Sequence, residues 1–390
     1  MKERHTSKYR YIAGPVNQFD QKYEMYKRAR WDDSVKYMGD SLYGIIPPKE
    51  KEGHTLLDRS FQNAGWYLEM AFAHGIVIHG TDLYSWKKQP ADNLRLPKGL
   101  KHTVSDPVDI TRKMKGVAKW LGASLVGVCE LDSRWVYSHY YNLASKEDGP
   151  LETPEECRFA IALAVEEEYY AIKTSPLEPG SAATGLGYSH MAFVAGSLAH
   201  FIRDLGYTAI PSGNDTALSI PIAIDAGLGE LGRNGLLITK KYGPRVRLCK
   251  VITDLPLVPD HPIEFGVSDF CKVCKKCAEK CPGQAIQYGD QTTEALNVSN
   301  NAGVLKWPVD AEKCLGYWSK SSSCTNCIRV CSFNKIEGWL HDKVRSSIKH
   351  TPWMNRIFVR LDSMFGYDRQ LSATEFWGKI AADAADEKYD

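Results

Sequence analysis

Apolar residues recur at helical spacing in "DITRKMKGVAKWLG", where Ile110, Met114, Val117, Trp120 and Leu121 share one face. Gly122 closes that run, and glycine is favoured just past a helix end. "SLVGVCEL" (124–131) is a short continuous apolar run and predicts a buried strand. "CRFAIALAV" (157–165) predicts a second. "SHMAFVAGSLAHFIRDLG" (189–206) returns to helical spacing and again ends on a glycine, Gly206. Then "YTAIPS" predicts a strand ending at Pro211, and "IPIAIDAGLG" a helix running into a glycine-rich turn. "RVRLCKVITDLPL" (245–257) alternates well enough for another strand. Helices alternating with strands argue an α/β or α+β core over 106–265, and the fold class assigned is α+β. Residues 1–105, rich in Tyr, Trp, Lys, Asp and Pro, read as an irregular, partly helical layer. A cysteine-rich segment occupies 266–336, and 337–390 reads as a helical tail.

The longest apolar candidate, "MAFAHGIVIHG" (70–80), is too short to span a bilayer. The first residues, "MKERHTSKYRY", carry charge but no apolar run and no twin arginine. Hydrophobic content of 43% and charged content of 25% are ordinary for a globular chain, and 390 residues suggest two or three units. The 49 basic and 47 acidic residues leave a net charge of +2, which gives no electrostatic reason to expect nucleic acid as a partner.

Candidate chemistry begins with the 11 cysteines. "CKVCKKCAEKCP" has the spacing C-x2-C-x2-C-x3-C-P, the run whose thiolates hold [4Fe–4S] clusters. In two-cluster ferredoxins the fourth cysteine of such a run ligates the other cluster, so a partner run is expected. It is "CLGYWSKSSSCTNCIRVC". Crossed ligation assigns one cluster to Cys271, Cys274, Cys277 and Cys331, and the other to Cys281, Cys314, Cys324 and Cys327. Ser332 stands where a proline usually follows the last cysteine. Zinc ribbons or disulfides would not predict this crossed eight-cysteine pattern. Cys129, Cys157 and Cys249 remain, each among apolar neighbours, and read as buried free thiols.

Two clusters move single electrons, so a second redox centre is expected. "GLGELG" has dinucleotide-type spacing but follows a helical run rather than a strand, which argues against a nucleotide fold. The cluster Gly227, Gly229, Gly232 and Gly235, with Arg233, either lets backbone approach a large cofactor or makes a tight helix–turn–helix corner.

From "GYSHMAFVAG" through "PSGND", "AGLGELGRNG", "RVRLCKVITDLPL" and the cysteine run to "CLGYWSKSSSCTNCIRVCSFNK", the chain resembles corrinoid-dependent reductive dehalogenases over about 181–340. The resemblance implies a nitroreductase-like corrinoid-binding core joined to a ferredoxin-like two-cluster domain. It implies a base-off cobamide reduced through the clusters, consistent with the lack of a D-x-H-x-x-G element in this chain. The family's catalytic residues fall on Tyr188, Asn214 and Arg247 rather than Arg245, with Trp318 as part of an aromatic wall. The glycine loop, with Arg233, would touch the cofactor. The chemistry suits these types: tyrosine donates a proton, and a guanidinium stabilises the phenolate left behind. Taken singly, Tyr188 is an ordinary core tyrosine, Asn214 a turn residue, Arg247 a surface ion pair and Trp318 packing. Only their joint order makes a site. The implied substrate is a small organohalide, a chlorinated ethene or alkane. The implied partners are a small membrane-anchor subunit, an electron donor from a quinone-linked chain or a ferredoxin-like carrier, and a second copy in a homodimer. The implied location is the outer face of the cytoplasmic membrane after export by a twin-arginine signal trimmed from this chain, or the cytoplasm if no such signal existed. The rival readings are an epoxyqueuosine reductase-like enzyme of tRNA modification and a non-catalytic electron-transfer protein.

Overall fold

A computed structural model describes residues 11–42, 44–73, 82–87, 96–97, 99–143, 145–321 and 324–386. Most of the apolar stretch at 70–80 and the first ten residues, both considered above, lie outside them. No helix among the described residues is long and apolar enough to cross a membrane.

The N-terminal layer holds Met25–Arg28 (α1), Lys36–Leu42 (α2) and Leu56–Phe72 (α3). The last was not foreseen. Thr55 and Asp58 form a reciprocal capping box at its start, which fixes the entry of the chain. Pro107–Trp120 (α4) follows with Asp106 as N-cap and Pro107 in the first turn, and Gly122 takes a positive φ of 109° just after its end.

The core is an antiparallel four-stranded sheet. Its strands are Leu125–Glu130 (β1), Phe159–Glu166 (β4), Val246–Thr253 (β8) and Ala209–Ser212 (β5), in the order β1-β4-β8-β5. Antiparallel pairing decides for α+β over α/β. Two short pairs, His139–Tyr141 (β2) with Asp148–Pro150 (β3) and Glu230–Leu231 (β6) with Leu237–Ile238 (β7), flank it. Pro211 sits within β5, which is tolerated because β5 is an edge strand.

Strand β4 explains why its sequence reads as an unbroken apolar run. Ala160, Ala162 and Ala164 face one core, and Ile161, Leu163 and Val165 face the other. The alanine side receives Ser219–Asp225 (α7), close enough that a Cβ at Gly127 would lie 2.1 Å from the Ala226 carbonyl oxygen. After Tyr169–Lys173 (α5) comes the helix that covers the branched side, Glu178–Asp204 (α6), 27 residues long. It begins eleven residues before the expected start, passing through Gly180, Gly185 and Gly187. Glycines are poor helix formers, so the pattern there is silent. Packing supplies the reason: a Cβ at Gly185 would lie 2.4 Å from Trp66.

The cluster segment contains Val267–Val273 (α8), Lys276–Glu279 (α9), Ala311–Ser321 (α10) and Asn326–Arg329 (α11). The tail is helical as expected: Trp339–His350 (α12), Asn355–Met364 (α13) and Ala373–Asp386 (α14). Trp377 Nε1 donates to Asp58 Oδ1 at 2.8 Å, fastening the tail to the start of α3.

Helices α3 and α6 meet where Gly65 faces Ala182, and a Cβ on Gly65 would stand 2.4 Å from the Ala182 carbonyl oxygen. Gly65→Ala is therefore expected to destabilise the fold by about 1–3 kcal/mol, read as a lower midpoint in denaturant unfolding.

Candidate functional site

The eight cysteines fall into two groups of four. Cys271 on α8, Cys274 just after it, Cys277 on α9 and Cys331 after α11 line one cavity with Phe270, Phe333 and Arg233. Burial pushes the Cys331 thiol up to about 12, with Cys274 adding to it. The second group is Cys281, Cys314 on α10, Cys324 and Cys327 on α11. Burial first, then Cys324 and Cys281, raises the Cys314 thiol to about 12. Cys327 is raised by burial first, then by Cys324, Cys314 and Cys281. This is the crossed grouping. Thiols held this high stay protonated without metal, so cluster binding must displace their protons. The Ala285 N–H points at Cys281 Sγ at 3.3 Å, the kind of bond that tunes a cluster's potential. Ser332, in place of proline, brings its hydroxyl to 3.8 Å from Cys274 Sγ and 3.2 Å from Asp362.

Of the two readings of the glycine loop, the helix–turn–helix corner does not form. The turn leads from α7 into the β6–β7 hairpin, not into a second helix. A Cβ at Gly229 would lie 2.2 Å from the Ile238 carbonyl oxygen, and one at Gly227 would lie 2.5 Å from that of His261. Gly232 packs on Ile238, and Gly235, at φ 72°, on Val309. Protein packing accounts for all four glycines. Arg233 is buried against the cluster segment: it donates to the Cys271 carbonyl at 3.0 Å and to Gln287 O at 2.7 Å, and stacks 4.4 Å from Trp307.

Tyr188, Asn214 and Arg247 come from three elements and meet. Tyr188 projects from the middle of α6, Asn214 from the loop after β5, and Arg247 from β8. Asn214 Nδ2 donates to the Tyr188 hydroxyl oxygen at 2.9 Å. The Arg247 guanidinium lies 5.2 Å from the Tyr188 ring centroid, and Trp66 stacks on the ring at 5.1 Å and 22°. Arg247 is held by Glu167, Nε to Oε1 at 2.9 Å, and Glu167 also accepts from Thr184 Oγ1 at 3.0 Å. Burial works against the charge on Arg247, but Glu167 and then Tyr188 outweigh it, and the guanidinium is held more firmly cationic than usual. Arg245 has a different task. It is buried and ties Glu166 at 2.5 Å and Asn334 at 3.0 Å, joining the sheet to the cluster segment.

Tyr26, on α1, was missed; it sits in the motif-poor N-terminal layer. It meets Trp318 edge-on at 5.5 Å and 81°. It is 38% exposed, yet burial raises its phenol well above the ordinary value, with Tyr188 and Cys314 contributing. Cys314 shows the same pairing of exposure with desolvation. Surface that solvent reaches while protein surrounds it on most sides lines a recess. Tyr26 and Cys314 lie on its wall with Trp318, and Tyr188 and Arg247 are close enough to act on the Tyr26 phenol. The Trp318 indole N–H is buried without an acceptor, which fits a chamber meant to hold a bulky polar-edged group.

Residues 270–334 match the family described as a 4Fe-4S double cluster binding domain. The chain is 35% identical to the tetrachloroethene reductive dehalogenase of Sulfurospirillum multivorans, over 90% of this chain and 76% of that protein. It is 38% identical to one from Desulfitobacterium hafniense, over 75% of this chain and 60% of that protein. A solved reductive dehalogenase structure, described as suggesting a mechanism for B12-dependent dehalogenation, shares the fold with a TM-score of 0.72 at 22% identity. That alignment covers 94% of this chain and 49% of the other.

Because the two groups of thiols are separate, Cys314→Ser is expected to lower iron from about eight per chain towards about four and to spare the Cys271 cluster. Iron analysis with electron paramagnetic resonance of the reduced protein checks this.

Proposed function

This chain belongs to the reductive dehalogenase family, and on that premise we propose that it replaces the halogen of a small organohalide, a chlorinated ethene or alkane, by hydrogen. The observation that carries the reading is the 2.9 Å bond from Asn214 to the Tyr188 oxygen beneath the Arg247 guanidinium. A base-off cobamide in the chamber would supply the low-potential chemistry at the carbon–halogen bond, fed by the two [4Fe–4S] clusters.

The chain's own residues then do the following. Asn214 occupies a lone pair of the Tyr188 oxygen, which leaves the phenolic hydrogen free to point at the reacting carbon. Trp66 fixes the ring plane. Arg247 stabilises the phenolate that remains after proton transfer, and Glu167 keeps the guanidinium from swinging away. Tyr26 and Trp318 give an aromatic wall that favours an apolar substrate and excludes water. Cys314 shares α10 with Trp318, so electrons would enter at the Cys271 cluster and leave from the one that Cys314 helps to hold. The same proposal includes a small membrane-anchor subunit, a quinone-linked or ferredoxin-like electron donor, homodimer formation and a place at the outer face of the cytoplasmic membrane; the family resemblance alone supports these.

Anaerobic reconstitution with cobamide and clusters, followed by reduced viologen and chlorinated ethenes and alkanes, tests the reading through chloride release. Cobalt-dependent release supports it, and its absence from a metal-complete protein across the panel counts against this substrate class. Tyr188→Phe is expected to lose about 10²- to 10⁴-fold in turnover with metal content unchanged. Arg247→Leu is expected to change the pH profile, and an identical profile would remove it from the mechanism.

A further inference from the structure

A [4Fe–4S] cube takes one thiolate on each iron. For the Cys271 cluster, three of these come from one short run, where α8 and α9 place them locally. The fourth, Cys331, comes from the far end of the cluster segment, after α11. Local spacing cannot hold it against the other three. A tertiary contact has to join the two stretches.

The C-terminal tail makes that joint. Asp362 lies on α13 with its carboxylate buried, and three side chains converge on it. Lys276, which stands between Cys274 and Cys277, donates from Nζ to Oδ2 at 2.5 Å. Ser332, the residue after Cys331, donates from Oγ to the same oxygen at 3.2 Å. Lys335, on the same stretch, pairs with Oδ1. One carboxylate thus grips the first cysteine run with one oxygen and the Cys331 stretch with both. Ser332 Oγ also lies 3.8 Å from Cys274 Sγ, so the contact reaches across to a ligand sulfur. Both lysines are fixed a second time: Lys276 pairs with Asp368 at 3.1 Å, and Lys335 lies 3.8 Å over the Tyr367 ring. One turn before Asp362, Phe358 and Val359 pack on the apolar wall that includes Phe270, Phe333, Cys271 and Cys274.

We propose that Asp362 is a positioning residue of the Cys271 cluster, a clasp that joins the two chain segments supplying its thiolates and keeps Cys331 on its iron. Asp362 touches neither iron nor substrate; it acts through Lys276, Ser332 and Lys335. The clasp rests on the two-cluster assignment and goes beyond the dehalogenase reading. It lies outside residues 270–334, which match the double-cluster family, so the tail supplies a support that the cysteine pattern does not contain.

A carboxylate suits the task. It accepts from several donors at once, and bonds to an ionised acceptor are about twice as strong as neutral ones. Lys276 and Lys335 face Asp362 and Asp368, so the buried charges balance. Removing one member leaves another uncompensated. Groups that orient metal ligands from outside typically account for about 10- to 100-fold in metal retention.

The test follows iron rather than halide. In the reconstituted protein, ferricyanide takes one electron from a [4Fe–4S]2+ cube, which then releases one Fe2+ and leaves [3Fe–4S]+, read by electron paramagnetic resonance. Asp362→Asn, close in size but uncharged, is expected to convert the Cys271 cluster about 10- to 100-fold faster than wild type. In a Cys314→Ser background, where the Cys271 cluster remains, the acceleration should persist. In a Cys331→Ala background it should disappear. Lys335→Met leaves the carboxylate in place and should give the same acceleration, which keeps the clasp testable where Asp362→Asn does not fold. Lys335→Arg, which keeps the charge, should lie nearer wild type. Equal conversion rates in wild type, Asp362→Asn and Lys335→Met would overturn the clasp. So would equal acceleration in the Cys314→Ser and Cys331→Ala backgrounds, because general loosening of the fold would free iron from both clusters. Chloride release takes no part in these readouts, so an enzyme that releases no halide bears on the substrate reading and not on the clasp.

Discussion

The structure depends on how closely α3 and α6 approach. Side chains are absent from the seam where it matters: Gly65 lies against the Ala182 carbonyl, and Gly185 against the Trp66 indole. That closeness lets Trp66 lie flat on Tyr188. It also sets the azimuth of α6 over the sheet, which places Tyr188 beneath a guanidinium borne by β8. A wider seam would leave the phenol free to rotate and would separate it from Asn214. The price of such a seam is helix propensity, since three glycines weaken the first half of α6. Burial against α3, α5 and the sheet restores what propensity lacks.

Charge is organised around the same strand. Arg245 and Arg247 stand two residues apart at the start of β8, opposite the consecutive acids Glu166 and Glu167 at the end of β4. One arginine fastens the cluster segment to the sheet, and the other covers the phenol. Each is paired, as buried guanidinium groups must be, because an uncompensated charge in such a place costs several kcal/mol. The Cys271 side is similarly cationic: Arg233 lines the cavity, and Lys276 and Lys335 converge on Asp362 from α9 and the stretch after α11.

Much of this was legible in the chain. The cysteine spacing carried the crossed grouping, because ligand geometry constrains sequence directly. The strands and α4 were legible because both faces of the sheet are buried and the helix is capped by Asp106. The antiparallel order was not, since it rests on pairings between residues far apart. The start of α6 was hidden by glycines whose reason lies in another helix. The glycine loop was only half legible for the complementary reason: small residues signal close approach but not what approaches, and the packing seen is against the hairpin and neighbouring backbone. Spacing alone could not choose between Arg245 and Arg247. The resemblance chose, and the two sets of hydrogen bonds show how differently they are employed. Tyr26 had no local signal, because its importance comes from a fold-level contact with Trp318.

Helix α10 carries Cys314 and, one turn later, Trp318 on the same face, so a single short rod holds both a cysteine of the cluster segment and the indole that meets Tyr26. Catalytic diversification is constrained accordingly. This rod cannot shift to make room beside Trp318 without also moving the Cys314 sulfur, whereas the facing ring, Tyr26, belongs to the N-terminal layer and can change independently.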